Sequence, residues 1–308
     1  MINKFLIIII ITIIIYTGFL FFSDFSKIYD HIEIFNINYL LPIFFLVTLS
    51  WCVLFLRWAL LLKNLNILIP RKDNFIIFLS SFALSATPGQ LGELIKSKLL
   101  KNKFNIPISK TAPLLLIERI YDLIGAIFAS SLGIIYIESG NIILLIYIII
   151  LFSLVFLLRS KIIFTKFLKL FEKISFLRNK VARVSETYES IQPSLNPKVF
   201  LSSTILSIIY WIIVGTSSYL VLLALEINTI NYFHMISIYS LSVIIGSVSF
   251  IPGGVGVAEG SITGLLTLGG VEISIAFVIG ILVRVFTLWY SVIIGFILLK
   301  INGGVRDS

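Results

Sequence analysis

The feature that most constrains this chain is a series of long apolar runs, at about 5–22, 39–62, 75–87, 111–137, 142–158, 199–225, 236–251 and 273–299. A helix rises ~1.5 Å per residue, so roughly 20 apolar residues cross the hydrocarbon of a bilayer. Most of these runs reach that length or come close to it. A water-soluble fold has no use for them, because a chain of 308 residues still needs a polar surface. With 58% of residues hydrophobic and 13% charged, that surface is missing. The fold class that follows is all-α and polytopic, a single transmembrane domain over residues 1–308.

Two of the runs are interrupted. Residues 75–87 number only thirteen, too few to cross unaided, and Pro88-Gly89 follows at once. The run 236–251 meets Pro252-Gly253 in the same way. Proline removes a helical hydrogen bond, and its ring clashes with the preceding turn. A short Gly-rich apolar stretch follows each interruption, at 89–100 and 256–269. Both places read as a helix that enters, breaks and turns back.

Loop charge discriminates between a return and a crossing, since Lys and Arg gather on the cytoplasmic side. With Lys4 inside, the first span leads out to a loop, 23–38, that carries Asp24, Asp30 and Glu33 against Lys27. The second span returns to Lys63, Arg71 and Lys72. If 75–100 crossed, Lys96, Lys98, Lys101, Lys103 and Lys110 would lie outside; a re-entrant hairpin keeps them inside. The same tracing takes 111–137 outward to Glu138 and 142–158 inward to the loop 159–198, which holds nine Lys and Arg. Span 199–225 then leads out to Glu226, a second hairpin at 236–269 enters from outside, and 273–299 returns to Lys300 and Arg306. Twenty of the 24 basic residues are then cytoplasmic and one is external, with Arg57, Arg119 and Arg284 inside spans. The net charge of +9 thus belongs to orientation loops, and nucleic acid is not an expected partner.

The expected architecture is six full transmembrane helices plus two oppositely oriented re-entrant hairpins, multi-pass in the cell membrane, with both termini cytoplasmic. The first run lacks a small-residue cleavage site and reads as a retained span. The loop 159–198 interleaves Ile162, Phe164, Phe167 and Leu168 with Lys161, Lys166 and Lys169, as a basic amphipathic helix on the inner leaflet would. An internal repeat is also visible. Pro88-Gly89-Gln90-Leu91-Gly92 parallels Pro252-Gly253-Gly254-Val255-Gly256, and Arg119 follows Pro88 by 31 residues as Arg284 follows Pro252 by 32. Halves of about 1–138 and 139–308 read as an inverted-topology repeat with discontinuous helices, a device of transporters.

Charges inside spans cost free energy and face partners or water. Glu118 and Asp122 share a helix face at i,i+4, and Arg119 reaches Asp122 at i,i+3. Arg284 has no acid on its own helix, so its partner comes from Glu93, Glu118, Asp122 or Glu259. Either these groups hold an ion-pair network that only binds the bundle together, or they serve a substrate. The helix starts beyond Pro88, Gly89 and Gly92, and beyond Pro252, Gly253 and Gly256, either offer amides to an anion or merely make tight turns. Glu93 and Glu259 either cap those starts or take up protons or cations. Arg57 reads as a snorkelling anchor. His31, His234 and Cys52 form no cluster, so neither metal nor cofactor is expected.

The string Ala86-Thr87-Pro88-Gly89-Gln90-Leu91-Gly92-Glu93 with Ile117-Glu118-Arg119-Ile120-Tyr121-Asp122 resembles the lysylphosphatidylglycerol synthase transmembrane, or flippase-like, family. So does Pro252-Gly253-Gly254-Val255-Gly256-Val257-Ala258-Glu259 followed by Arg284, and the likeness runs along nearly the whole chain. It implies a lipid-translocating module. In the aminoacyl-lipid members an acyltransferase-type domain follows the membrane part; with this chain ending at Ser308, the expectation is a stand-alone module that does not make lysyl-lipid. The function expected is therefore a flippase or transporter of an anionic or polyprenyl-phosphate-type lipid, and not an enzyme. Arg119 and Arg284 would hold phosphate, while Glu118, Asp122, Glu93 and Glu259 balance charge or couple to ions. No nucleotide-binding loop is present in the sequence, which speaks against direct ATP drive. The rival expectations are a membrane-embedded enzyme with Glu118 or Asp122 as base, and a non-catalytic subunit. Expected partners are membrane lipids with anionic headgroups, a second copy of the chain, or a separately encoded synthase or glycosyltransferase.

Overall fold

The computed structural model describes residues 34–136, 140–159, 166 and 191–301. The expected first span at 5–22 and most of the loop 159–198 lie outside the described residues. Every regular element among those described is helical. After a 3-10 turn at Ile37–Tyr39 come α1 (Leu40–Asn64), α2 (Arg71–Ser81), α3 (Ile95–Phe104), α4 (Ile108–Ser131) and α5 (Gly140–Arg159). They are followed by α6 (Pro197–Ala224), α7 (Tyr232–Val248), α8 (Val257–Leu268), α9 (Ile273–Arg284) and α10 (Tyr290–Ile301).

Among the described residues, three helical stretches are long and apolar enough to cross a membrane: Ile37–Asn64, Pro197–Ala224 and Ile273–Ile301. Gly140–Ser153 and Tyr232–Val248 are shorter apolar helices. Helix α4 has the length, 24 residues, but carries Glu118, Arg119 and Asp122 in its middle. The last stretch is one rod in which α9 passes into α10 through a π-helical turn, Val285–Trp289, immediately after Arg284. Single π turns relieve a local packing conflict and gather at functional sites. Nothing in the apolar periodicity signals this one.

The long rods surround two folded-back pairs. Helix α2 ends in a 3-10 turn, Phe82–Leu84, and the chain resumes through a 3-10 stretch, Pro88–Leu94, into α3. It returns to where it started, because Lys103 near the end of α3 pairs with Asp73 at the start of α2 at 2.7 Å. Helices α7 and α8 pack on each other across the second interruption. Gly269 just past α8 lies against Ile230 and His234, which flank the start of α7. His234 is in the first turn of α7, where the Asn231 side chain accepts from its N–H at 2.9 Å.

Helix α4 touches both pairs. It begins just after α3, and Gly133 beyond its far end lies against Phe233 and His234 of α7. Its 24 residues span about 36 Å alongside the two pairs. Their tips meet in the middle: the Pro88–Leu94 stretch packs on Pro252–Gly254. Helix α6 lies between α1 and α4 and ties them together. Its approach to α4 is close enough that a Cβ on Gly125 would come within 2.8 Å of the Ser207 backbone, the kind of small-residue contact that lets membrane helices pack.

Two apolar cores flank the tips. One gathers Trp58, Leu61, Ile77, Phe78, Leu100 and Ile117 around the first pair. The other gathers Trp211, Leu222, Ile236, Ile262, Leu266 and Ile279 around the second. Leu41, Phe45, Ile142, Phe152, Leu201 and Phe296 point outward and are exposed. That is the pattern of helices whose outer faces meet lipid rather than water.

Candidate functional site

The two Pro-Gly interruptions have different backbones. At the second, Gly253 adopts φ 63° and Gly256 φ 82°, both in the left-handed region where a side chain is strained. Gly256 is the N-cap of α8, and its N–H donates to a Glu259 carboxylate oxygen at 2.7 Å. At the first, Pro88 and Gly89 open the 3-10 stretch, and the Gly92 N–H donates to Thr87 Oγ1 at 2.7 Å. Of the two roles open to these starts, amides for an anion or tight turns, the second fits these two N–H groups, which side chains of the chain itself already hold. Each interruption also keeps one non-glycine residue in the left-handed region, Gln90 at φ 54° and Phe250 at φ 55°.

One Glu–Arg pair stands behind each tip. Arg119 Nη2 donates to Glu93 Oε2 at 3.2 Å, and Arg284 Nε donates to Glu259 Oε1 at 3.2 Å. The partner that Arg284 requires is therefore Glu259. Arg284 also donates through Nη2 to the carbonyl of Gly253, which locks it onto the turn. Arg119 is different. It reaches Asp122 at 3.3 Å as well as Glu93, yet 31% of its side chain is exposed, against 6% for Arg284.

Two cations join that the sequence places elsewhere. Arg57, read as a headgroup anchor, is 1% exposed. Its Nη1 donates to Asp122 at 2.5 Å and to Ser207 Oγ at 2.6 Å, tying α1 to α4 and α6. Lys96, counted among the cytoplasmic charges, is also 1% exposed. It pairs with Glu118 at 2.5 Å, approaches Glu93 at 3.7 Å and lies 4.4 Å from the centroid of the Trp58 ring. Both corrections have one cause. Glu93, Glu118, Asp122 and Glu259 bring four negative charges into the interior, and Arg119 and Arg284 balance only two. A buried carboxylate without a partner is far costlier than a paired one, so two further cations are drawn in.

The network walls a cavity of about 440 Å³ between the tips. Arg57, Glu93, Glu118, Arg119, Asp122 and Arg284 line it, together with Gln90, Gly253, Gly254, Tyr210, Trp211, Tyr239 and Thr287. Thr287 belongs to the π turn. Its volume falls in the range of small-ligand sites. Val248, Phe250 and Ile251 bring an apolar, exposed edge to it. Three of the lining N–H donors are buried and find no acceptor among the described residues: Arg57 Nε, Arg119 Nε and Trp211 Nε1. Buried donors are satisfied in the great majority of cases, so these three lack the partner that such groups ordinarily find. No cluster of His, Cys, Asp and Glu that could hold a metal occurs among the described residues. Tyr210, Trp211 and Tyr239 were not foreseen as lining residues, because aromatic residues within apolar spans give no signal of their own.

A family profile described as the lysylphosphatidylglycerol synthase TM region matches residues 9–295. The chain is similar to a UPF0104 membrane protein of Methanocaldococcus jannaschii, 28% identical over 233 residues, which cover 71% of this chain and 94% of that protein. It is likewise similar to a UPF0104 membrane protein of Pyrococcus horikoshii, 26% identical over 299 residues, which cover 87% of this chain and 88% of that protein. With the apolar rods described above, these likenesses make it a multi-pass, all-helical membrane protein.

Proposed function

Because the chain belongs to the lysylphosphatidylglycerol synthase TM region family, we propose that it moves an anionic lipid, a phospholipid or a polyprenyl phosphate, between leaflets. One observation carries this reading. Arg119 is part-exposed beside a cavity whose lining residues include Arg57 and Trp211, and each of the three carries a buried N–H that finds no acceptor among the described residues. A phosphate diester offers acceptor oxygens and one negative charge to such groups. The apolar edge at Val248, Phe250 and Ile251 lets tails stay in lipid while the headgroup is inside. Arg284, locked to Glu259 and the Gly253 carbonyl, holds the second tip in shape beside the phosphate.

The architecture that serves this function is six full spans with two re-entrant hairpins, α2–α3 and α7–α8, entering a cell membrane from opposite faces. The closing contact of Lys103 with Asp73 supports a hairpin that returns to its own side. The matched Glu–Arg pairs behind the two tips support an inverted repeat with halves of about 1–138 and 139–308. Both termini and the basic loop 159–198 are then cytoplasmic. Transport of this kind makes and breaks no covalent bond, so the protein is not an enzyme. A second copy or a separately encoded lipid-modifying synthase is a suitable partner.

The test is reconstitution into vesicles that hold fluorescently labelled phosphatidylglycerol or polyprenyl phosphate, with a membrane-impermeant quencher reporting which leaflet holds the label. The native chain is expected to exchange label between leaflets, and Arg119→Ala to slow exchange at least tenfold. Exchange no faster than in protein-free vesicles for either lipid, or a lipid product of altered mass, overturns the reading. The second of those outcomes would establish a membrane-embedded enzyme instead.

A further inference from the structure

The charge balance of the cavity goes beyond holding an anion. Four cations, Arg57, Lys96, Arg119 and Arg284, face four carboxylates, Glu93, Glu118, Asp122 and Glu259. With every carboxylate ionised, the unloaded network is neutral. A phosphate monoanion that docks on the part-exposed Arg119 leaves one negative charge in excess among side chains that are otherwise mostly buried. There the charged form of a carboxylate is disfavoured unless a cation stays beside it.

The distances identify the carboxylate that yields. Glu118 holds Lys96 at 2.5 Å and Asp122 holds Arg57 at 2.5 Å. Glu259 is engaged by Arg284 at 3.2 Å and by the Gly256 N–H at 2.7 Å. Glu93 has the longest contacts, 3.2 Å to Arg119 and 3.7 Å to Lys96. The charged groups acting on it are Arg119, Glu118 and Asp122 from α4 and Lys96 from α3. If Arg119 turns to a phosphate, Glu93 keeps only Lys96, which is already committed to Glu118.

We infer that Glu93 is a proton-binding site coupled to headgroup loading: as a lipid phosphate monoanion takes the Arg119 guanidinium, Glu93 takes up one proton, and anion and proton cross together. The carboxylate becomes a carboxylic acid, the phosphate stays a monoanion, and the loaded cavity is neutral again. This rests on the lipid-transport reading above.

Two measurements test it. In vesicles carrying labelled phosphatidylglycerol, native exchange is expected to slow about tenfold between pH 6 and pH 8, while Glu93→Gln, a permanently neutral mimic of the protonated side chain, exchanges at a rate that does not change with pH. A native rate that is flat with pH, or a Glu93→Gln variant that keeps the native pH dependence, overturns the inference. Calorimetry of the native protein with a short-chain phosphatidylglycerol, repeated in buffers of different ionisation heat at pH 8, counts protons without needing the variant to fold. About one proton taken up per lipid bound supports the inference, and none overturns it. Native protein that binds the lipid with proton uptake but never exchanges it would overturn the transport reading and leave the proton site standing.

Discussion

Lys96 shows how a cation becomes an interior group. It sits 2.5 Å from Glu118 and over the Trp58 ring, on a short helix that the preceding 3-10 stretch turns inward. Its charge is tolerated only because Glu118 is also present, and the reverse holds equally. Removing one member strands the other in a low-dielectric site, at a cost of about 3–5 kcal/mol, whereas replacing both by apolar residues of similar volume is close to neutral. Lys96→Met is therefore expected to lower stability by about that amount, and adding Glu118→Leu to recover most of it. Equilibrium unfolding in mixed detergent micelles measures both. A double variant as unstable as the single one would contradict the pairing. Arg57 obeys the same logic with Asp122 and Ser207, and it makes one interior charge hold three helices together.

At the scale of elements, the two interruptions share a sequence pattern and differ in how they are secured. Gly256 is doubly constrained: its φ of 82° excludes an unstrained side chain, and its N–H is the donor that fixes Glu259. An alanine there carries roughly 1–3 kcal/mol of backbone strain, and it also disturbs the carboxylate that holds Arg284. Gly253, at φ 63° and ψ 3°, lies nearer the small left-handed basin that other residues enter at lower cost. A Cβ at Gly253 would meet Ala86 at an ordinary 3.4 Å. Gly256→Ala is thus expected to lower thermal stability and lipid exchange more than Gly253→Ala, with melting curves and the vesicle assay as readouts. The reverse order would show that contact between the tips matters more than backbone strain.

Among the described residues, two folded-back pairs meet tip to tip beside longer rods, with the charged cavity where the tips meet. This geometry has a consequence for labelling. With Cys52 replaced by Ala, a cysteine at Lys101 is expected to react with impermeant reagent from the cytoplasmic face, as is one at Lys63, while one at Glu226 reacts from outside. Labelling of the Lys101 position from outside would make α2 and α3 a single crossing and remove the opposed arrangement.

Apolar run length alone establishes that this chain lives in a bilayer, because no other solvent accepts so much hydrocarbon surface along helices. The repeated Pro-Gly strings locate two places where the helices break, since proline chemistry is a local property that a string of residues carries by itself. The pairing of charges is not local. Arg57 lies 65 residues from Asp122, and Lys96 lies 22 from Glu118. Only the packing of α1 and α3 against α4 decides that these two cations turn inward rather than toward headgroups. The one trace they leave in the sequence is an imbalance that appears once Arg57 is read as an anchor, four acids in or beside the broken helices against Arg119 and Arg284, which burial does not allow to stand. The tertiary structure resolves that imbalance, and in doing so it decides which arginine is left part-exposed to the cavity and which is locked away.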